Sequence, residues 1–192
     1  MSDLSIRVVK VGGSLFELPE LGKRITTWLK IQSPAYNLLV AGGGKLVDEI
    51  RMQQLDERTA HWQCIEILEK TAISLASKLP GVSIVDLPPG FKESQPNCAT
   101  VFSPSRWLRE VEPNLPGTRL RESWEVTSDS IAARLTICFH RAELVLLKSA
   151  DAPCLDFTKL AECRYVDRMF PEFAQELPVV RMVNLRQFPG ES

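Results

Sequence analysis

Two glycine clusters, each placed directly after a short apolar run, are the parts of this sequence best suited to chemistry. The first lies in residues 10–14 (KVGGS) and the second in residues 42–45 (GGGK). Glycines let a chain turn sharply and let a phosphate approach backbone N–H groups, because no Cβ stands in the way. Two such loops in one chain, with Lys10 just before the glycines of the first, predict that phosphate is bound at both ends of a transfer.

A third segment, residues 127–130 (TSDS), places Asp129 at the start of a predicted helix. Phosphoryl transfer depends on positioning and charge neutralisation more than on covalent catalysis. Lys10 can supply a fixed positive charge, and Asp129 can orient Lys10 and Lys148 or bind a metal carried by a nucleotide. We expect Asp129→Asn to change stability by less than about 1 kcal/mol while activity falls steeply. If Asp129 only caps its helix with Ser128, stability should fall and activity should not.

The bulk properties are those of an ordinary globular chain with one substantial core, and we expect a single domain over residues 1–192. The sequence has 192 residues, of which 44% are hydrophobic and 24% charged, with a net charge of −1. It offers no basic field for nucleic acid, no apolar run near the length of a membrane span and no N-terminal signal pattern. We therefore expect a cytoplasmic protein that acts on a small-molecule substrate, with no nucleic-acid or membrane partner.

The numbers and spacing of cysteine and histidine limit which disulfides and metal sites the chain can form. The five cysteines are scattered and form no CxxC motif, so we expect reduced and mostly buried thiols. With only two histidines, a histidine-rich metal site is excluded, and no protein-bound metal is predicted.

Apolar runs and helical patterns alternate along the chain. The runs lack clean polar alternation, which is typical of strands covered on both faces, and they predict strands at residues 6–11, 37–41, 82–87, 99–103, 143–148 and 179–185. The helical patterns between them predict an α/β fold, a three-layer α/β/α sandwich with a mainly parallel central sheet. Ligands of such a sheet bind at the carboxyl ends of the strands, where both glycine clusters fall.

The helical patterns also make local predictions. Helices are expected over residues 18–29, from 46 onward, over 62–79 and from 127 onward, the last carrying Ile131, Leu135 and Cys138 inward. A short helix is predicted to begin at residues 103–104, with Ser103 as its cap. Residues 112–121 are predicted to form an exposed loop, and residues 158–176 a helix interrupted at Pro171.

Together these motifs resemble the amino acid kinase superfamily, which includes acetylglutamate, aspartate, carbamate and uridylate kinases. Its first strand ends in K-x-G-G-S, as residues 10–14 do, and its second in a triple glycine, as residues 42–44 do. A later helix begins with an aspartate and leads to a strand, as in residues 127–149. The resemblance covers about the whole chain. It implies ATP and Mg²⁺ as cofactors, Lys10 and Asp129 as catalytic residues, and a homo-oligomer, a dimer or higher.

Within the superfamily, residues 123–130 (SWEVTSDS) resemble the W-D-V-T-S-D-S pattern of the small kinases of methanofuran biosynthesis, with Glu125 in place of the aspartate. That resemblance implies phosphorylation of an aminomethyl-furan-methyl phosphate to its diphosphate, in the synthesis of a one-carbon carrier. The residues then expected to hold phosphate or substrate are Gly12, Gly13, Ser14, Gly42, Gly43, Gly44, Trp124, Thr127 and Ser128.

The nucleotide end departs from the superfamily pattern. Members carry T-D-x-D-G after the fifth strand, where this chain has KSADA at residues 148–152. We expect Lys148, Ser149 and Asp151 to bind the nucleotide. Three hypotheses stay open: a kinase for a furan-methyl phosphate, a superfamily kinase for a carboxylate or a nucleoside monophosphate, and a non-catalytic nucleotide-binding regulatory protein. The altered segment favours the third hypothesis, and the presence of both Lys10 and Asp129 argues against it.

Several other residues have both a functional and a structural interpretation. Lys45 is a phosphate contact or a surface lysine, and His61 is a packed histidine or a functional one. Trp62 is the expected interface anchor of the oligomer, because large aromatic residues dominate association energies. Arg119 and Arg121 belong to a solvated loop or hold the phosphate of the acceptor, and in the second case changing both to alanine should abolish tight acceptor binding.

Overall fold

The computed structural model describes residues 5–88, 97–139 and 142–188, which form an α/β fold around a parallel sheet. The strands are β1 (Ile6–Val11), β2 (Tyr36–Ala41), β3 (Ser83–Val85), β4 (Ala99–Phe102), β5 (Ala142–Lys148) and β6 (Val180–Asn184). They pair in parallel throughout, in the order β3-β4-β2-β1-β5-β6. The predicted parallel sheet is confirmed, and each predicted strand is present with its ends moved by at most two residues.

Helices surround this sheet. They are α1 (Leu21–Lys30), α2 (Lys45–Arg51), α3 (Glu57–Ser77), α4 (Ser105–Glu110), α5 (Ser128–Ile137) and α6 (Phe157–Glu162). Short 3₁₀ helices occur at Gly13–Glu17, Glu112–Asn114, Phe170–Phe173 and Leu185–Gln187. Within the described ranges, none of the helices combines the length and the apolarity that a membrane crossing needs.

Side chains alternate between the two faces along each strand, and this divides the core into two clusters, one on each face of the sheet. In β1, Ile6 and Val8 belong to the cluster that includes the buried residues of α5, while Val9 and Val11 belong to the cluster that includes those of α1. Both faces are therefore covered, as the continuous apolar runs predict. Because side chains alternate between the two faces along a strand, Lys10 lies on the same face as Ile6 and Val8, which is the face that packs against α5.

The strand order reverses direction at β1, which has β2 on one side and β5 on the other. In open parallel sheets, this switch point creates a crevice at the carboxyl ends of the strands, and ligands bind there. The two glycine clusters directly follow β1 and β2, and Lys148 is the last residue of β5. The sheet therefore brings three of the predicted motifs to one edge.

Three local helix predictions are wrong. The short helix α4 starts after Pro104 rather than with Ser103 as its cap, and the Ser103 hydroxyl donates to Glu69 instead. Cys138 lies at the exposed end of α5, not in the core. The helix expected over residues 158–176 ends at α6, because Arg164 takes a φ of 61°, and residues 170–173 form a separate 3₁₀ turn.

The loop at residues 112–121 is anchored rather than freely exposed. Glu112 is buried, and its carboxylate accepts a hydrogen bond from Arg134 Nε at 3.0 Å and one from the backbone N–H of Leu120 at 3.1 Å. Arg134 is also fully buried and donates to the carbonyl of Pro116 at 2.8 Å. Because a buried ion pair requires such additional hydrogen bonds, the pair fixes the path of this loop.

No disulfide joins the five cysteines, and the prediction that most of them are buried is wrong. Cys64 and Cys154 are partly buried, whereas Cys98, Cys138 and Cys163 are exposed. The exposed three lie at the ends of secondary-structure elements, where side chains face solvent: Cys98 precedes β4, Cys138 follows α5 and Cys163 follows α6.

Candidate active site

The carboxyl ends of β1 and β5 carry a cluster of three charged side chains, Lys10, Asp129 and Lys148, called the charge cluster below. Lys10 Nζ lies 2.9 Å from Asp129 Oδ1. Lys148 Nζ lies 2.9 Å from each oxygen of the same carboxylate. Lys10 and Asp129 are each only 5% exposed. The expected ion pairs from Asp129 to both lysines are therefore present, while a catalytic role for them stays a prediction.

Strand register and helix placement bring these three residues together. Lys10 is paired with Leu146 across β1 and β5, so Lys148 lies two residues farther along β5 and on the same face of the sheet. That face packs against α5, and Asp129 lies in the first turn of α5. A carboxylate in the first turn of a helix also interacts favourably with the helix dipole.

Burial and the two neighbouring ammonium groups shift the pKa of Asp129 in opposite directions. Burial by itself would raise the pKa of Asp129, but the charges of Lys10 and Lys148 outweigh it and hold that pKa below its usual range. Burial lowers the pKa of Lys148 to about 8; Asp129 opposes this shift and Lys10 adds to it. Two ammonium groups thus face one carboxylate in a buried setting, which leaves positive charge for an anionic ligand to neutralise.

Asp167 supports the start of α5 from a distant segment. Its carboxylate accepts hydrogen bonds from the backbone N–H groups of Thr127 and Ser130, both at 2.9 Å, and from the hydroxyls of the same two residues. Burial and the neighbouring Asp129 raise the pKa of Asp167. Because Thr127 and Asp167 satisfy the first turn, the alternative that Asp129 caps the helix with Ser128 is wrong.

The two glycine clusters touch each other through their backbones. A Cβ on Gly42 would lie 2.5 Å from the backbone nitrogen of Gly13, and a Cβ on Gly13 would overlap the backbone of Gly44. Gly44 also has a φ of 59°, a left-handed conformation that glycine adopts without strain. The glycines are therefore needed for the loops to approach each other, whether or not phosphate binds.

The backbone N–H groups of these glycines differ in availability. Gly12 donates to the carbonyl of Leu147 at 2.8 Å, and Gly42 donates to that of Val11 at 2.9 Å, so neither N–H group is free for phosphate. Gly12 also lines neither of the cavities described next. Within the ranges that the structure describes, the glycine N–H groups at the site without a backbone acceptor are those of Gly13, Gly43 and Gly44.

A cavity of about 460 Å³ opens beside the loops and is called the glycine cavity. Its lining combines Lys10 and glycine backbone with apolar side chains of α3 and α5. Lys45 lies at its exposed side, where Nζ pairs with Glu17 at 2.6 Å. The cavity suits an anionic group attached to a small apolar body. The predicted site residues that line it are Lys10, Gly13, Ser14, Gly42, Gly43, Gly44, Trp124, Thr127 and Ser128.

A second cavity, of about 970 Å³, is lined by Asp129, Lys148 and Tyr165 and is called the tyrosine cavity. The carbonyl of Tyr165 accepts a hydrogen bond from Lys148 Nζ at 2.6 Å, which fixes this wall to the charge cluster. Residues shared by both linings are Trp124, Thr127 and Arg164. Since Lys10 lines the glycine cavity and the other two members of the charge cluster line the tyrosine cavity, the cluster lies where the two cavities meet.

The three residues expected to bind nucleotide are not brought together. Lys148 lines the tyrosine cavity. The Ser149 hydroxyl lies 2.9 Å from that of Ser14, which ties the end of β5 to the first glycine loop. Asp151 is exposed, accepts a hydrogen bond from Gln187 Nε2 at 3.1 Å and lines neither cavity.

The two loop arginines do not reach the site either. Arg121 forms ion pairs with Glu125 and Glu172, and neither Arg119 nor Arg121 lines a cavity. The expectation that they hold the phosphate of the acceptor is therefore not met. Arg164 lines both cavities instead. The sequence did not single it out, because the helix over residues 158–176 was predicted to be interrupted only at Pro171.

His61 and Trp62 are packed within the chain. His61 is buried, lines the glycine cavity and places Nδ1 3.4 Å from the carbonyl of Ser123. Burial lowers the pKa of His61, and the contact with Ser123 opposes that shift. Trp62 meets His61 edge to face, and the guanidinium of Arg109 lies 3.7 Å from its ring centroid. Trp62 is only partly buried, so its part as an interface anchor and the homo-oligomer itself both stay predictions.

The carboxylates of Asp129 and Asp167 do not fit a magnesium ion held by the protein. Magnesium requires octahedral oxygen ligands, usually one or two carboxylates with waters and phosphates. Asp129 is engaged by two ammonium groups, and Asp167 by the donors of α5. Over the described ranges, no group of three or more His, Cys, Asp and Glu side chains is placed to hold a metal ion.

No protein-family model matches the sequence, and no curated protein matches it. Among solved structures, the chain is similar to the uridylate kinase from Archaeoglobus fulgidus, with a TM-score of 0.58 and 14% identity over 94% of this chain and 92% of that one. It is also similar to the UMP kinase from Bacillus anthracis, with a TM-score of 0.57 and 12% identity over 95% of this chain and 88% of that one. At such identities, the likeness shows a shared α/β fold.

Proposed function

We propose that this protein is an ATP-dependent small-molecule kinase that transfers a phosphoryl group to an anionic acceptor. The charge cluster at the junction of the two cavities carries the proposal. Transfer of a phosphoryl group needs fixed positive charge where negative charge passes between two ligands, and a buried site with two ammonium groups against one carboxylate meets that need. A fold shared with two uridylate kinases is in keeping with it.

In this proposal the nucleotide occupies the tyrosine cavity and the acceptor occupies the glycine cavity. The tyrosine cavity is the larger of the two, and it contains Lys148, at the start of the segment where the superfamily resemblance places the nucleotide. The glycine cavity offers Lys10 and the N–H groups of Gly13, Gly43 and Gly44, which have no backbone acceptor in the described ranges, and this set suits a phosphate. A magnesium ion that accompanies ATP would be held by phosphate and water rather than by Asp129 or Asp167, which are engaged by other donors.

The transfer breaks the bond between the γ-phosphorus of ATP and the bridging oxygen, and forms a bond from that phosphorus to an oxygen of the acceptor. Lys10, which faces the acceptor side, neutralises the equatorial oxygens in transit, and Lys148 neutralises the charge that develops on the departing diphosphate. Asp129 holds both ammonium groups in place through its two ion pairs. No general base is required when the acceptor is an ionised phosphate, because its attacking oxygen carries no proton.

The finer proposal is that the acceptor is a phosphate monoester of the furan-methyl type, in methanofuran biosynthesis. It rests on the resemblance of residues 123–130 to the small kinases of that pathway. The glycine cavity supports a phosphorylated acceptor with a small ring, because it joins the anion-binding loops to apolar side chains such as Ile65 and Leu68. A carboxylate acceptor would bring less negative charge and would need fewer cations.

The test is a thermal-shift screen of nucleotides and acceptors, followed by an ADP-release assay on each acceptor that stabilises the protein. The acceptor panel contains a furan-methyl phosphate, UMP, acetylglutamate and aspartate. The proposal predicts ATP-dependent stabilisation and ADP release that requires a phosphate monoester. Release of ADP with UMP, acetylglutamate or aspartate but not with the furan-methyl phosphate would overturn the assignment of the acceptor. The absence of any acceptor-dependent release would overturn the kinase function.

A further inference from the structure

Arg164 lies where the glycine cavity and the tyrosine cavity meet, and it lines both. We propose that its guanidinium binds the phosphate groups of both ligands at this junction, as a third cation beside the charge cluster. The inference rests on the proposed function and deepens it, because it requires two ligands that each carry phosphate.

The backbone of Arg164 has a φ of 61°, in the left-handed region. It follows the end of α6 in a Schellman motif: Arg164 N donates to the carbonyl of Ala161 at 3.0 Å, and Tyr165 N donates to that of Leu160 at 2.8 Å. Glycine is the usual residue here, because a Cβ is strained in this conformation. The turn itself therefore gives no reason for an arginine.

The side chain of Arg164 likewise has no structural partner that would explain its presence. It is exposed, and its guanidinium makes no ion pair or hydrogen bond with any part of the chain that the structure describes. Arg121, by contrast, is held by Glu125 and Glu172. Arg164 is a strained residue that lines two cavities and whose charged group has no partner in the described part of the chain, and a ligand best explains this combination.

The turn that carries Arg164 is fixed to the charge cluster. Lys148 Nζ donates to the carbonyl of Tyr165, the next residue, at 2.6 Å. Lys148 in turn is held by Asp129. A guanidinium presents a planar fork that binds two phosphate oxygens at once, which an ammonium group cannot do. Arg164 can therefore contact the phosphates of donor and acceptor while the two lysines neutralise the group in transit.

Arg164→Gly tests the proposal because its two expected effects have opposite signs. Removing the Cβ from a left-handed residue should raise Tm by about 2–4 °C. Removing the guanidinium should weaken the binding of inorganic tripolyphosphate, measured by calorimetry, about 10-fold or more. A lower Tm or an unchanged affinity for tripolyphosphate would each overturn the proposal.

Three variants serve as controls. Arg119→Gly removes the same charge from an exposed residue outside both cavities, and Glu20→Gly relieves another left-handed residue, with a φ of 57°, also outside them. Neither should change the affinity for tripolyphosphate by more than about twofold. Arg164→Lys keeps the charge and the strain, so we expect intermediate affinity and no gain in Tm. An equal loss of affinity in Arg119→Gly would reveal a general charge effect and overturn the proposal.

Turnover separates this inference from the kinase function. If tripolyphosphate binds through Arg164 but no acceptor causes ADP release, the kinase function fails and the Arg164 site stands. If the wild-type protein turns over and Arg164→Gly changes neither KM nor kcat, the Arg164 site fails and the kinase function stands.

Discussion

Replacing Asp129 by asparagine should destabilise the fold strongly, because two buried ammonium groups would be left without a negative charge. Lys10 and Lys148 each lie 2.9 Å from the carboxylate, and Asp129 is only 5% exposed. Removing one partner of a buried ion pair costs about 3–5 kcal/mol, since the other charge stays buried and unpaired. The sequence alone predicted a change below about 1 kcal/mol, and the burial of the charge cluster corrects that prediction.

The loss of unfolding free energy caused by Asp129→Asn should become smaller as the pH rises. The pKa of Lys148 is about 8 with the carboxylate present, and loss of the carboxylate lowers it further. The folded Asp129→Asn variant then releases this proton while the unfolded chain keeps it, so the stability of the variant rises with pH. Above about pH 8 the wild-type Lys148 releases its proton too, and the difference levels off. Adding Lys148→Met to Asp129→Asn should recover about 1–2 kcal/mol, because one unpaired ammonium group is removed.

Urea unfolding followed by tryptophan fluorescence measures these changes, since Trp28 and Trp107 are buried. The matched control is Asp151→Asn, which removes an exposed carboxylate bound by Gln187 and should change the free energy of unfolding by less than about 0.5 kcal/mol. If Asp129→Asn costs less than about 1 kcal/mol and the difference does not depend on pH, the buried charge cluster is refuted.

Three further predictions concern catalysis. Lys10→Met should lower kcat about 10²–10³-fold in a protein that still folds, as measured by ADP release, and near-normal turnover would remove Lys10 from the mechanism. The kcat/KM for ATP should fall as the pH rises through about 8, because Lys148 loses its charge there. Lys148→Met should abolish that decline, and a decline that persists in the variant would show that another group titrates. Gly13→Ala should push the glycine loops apart and abolish activity. Gly81→Ala adds a Cβ that meets no atom within 4 Å, so at a φ of 76° it should cost stability but leave the activity of the folded protein intact; equal losses of activity per folded molecule in both variants would contradict the loop contact.

The strands could be predicted because continuous apolar runs are stable only when both faces of a sheet are covered. The position of each run also placed the two glycine clusters at the carboxyl edge of the sheet. The segment over residues 158–176 could not be predicted in the same way. Arg164 ends α6 in a left-handed conformation that non-glycine residues rarely adopt, so no residue there signals the end of the helix.

The candidate site was predictable only where local sequence determines geometry. Lys10 at the end of β1 and Asp129 in the first turn of a helix follow from strand parity and capping patterns, and their ion pair was expected. Asp167 was missed because it supports α5 across 40 residues of sequence, through contacts that no local pattern encodes. Asp151 was predicted to bind the nucleotide because it lies where superfamily members carry T-D-x-D-G, a motif that this chain lacks. It lies outside both cavities.

Transfer of phosphorus between the two cavities can be observed directly by ³¹P NMR. The wild-type protein, mixed with ATP, Mg²⁺ and a phosphate monoester acceptor, should consume the γ-phosphorus signal and produce ADP together with the two signals of a new phosphoanhydride. Lys10→Met should produce neither within the same time. If the γ-phosphorus signal decays no faster than in the absence of protein with a furan-methyl phosphate, UMP, acetylglutamate and aspartate alike, the kinase function is contradicted.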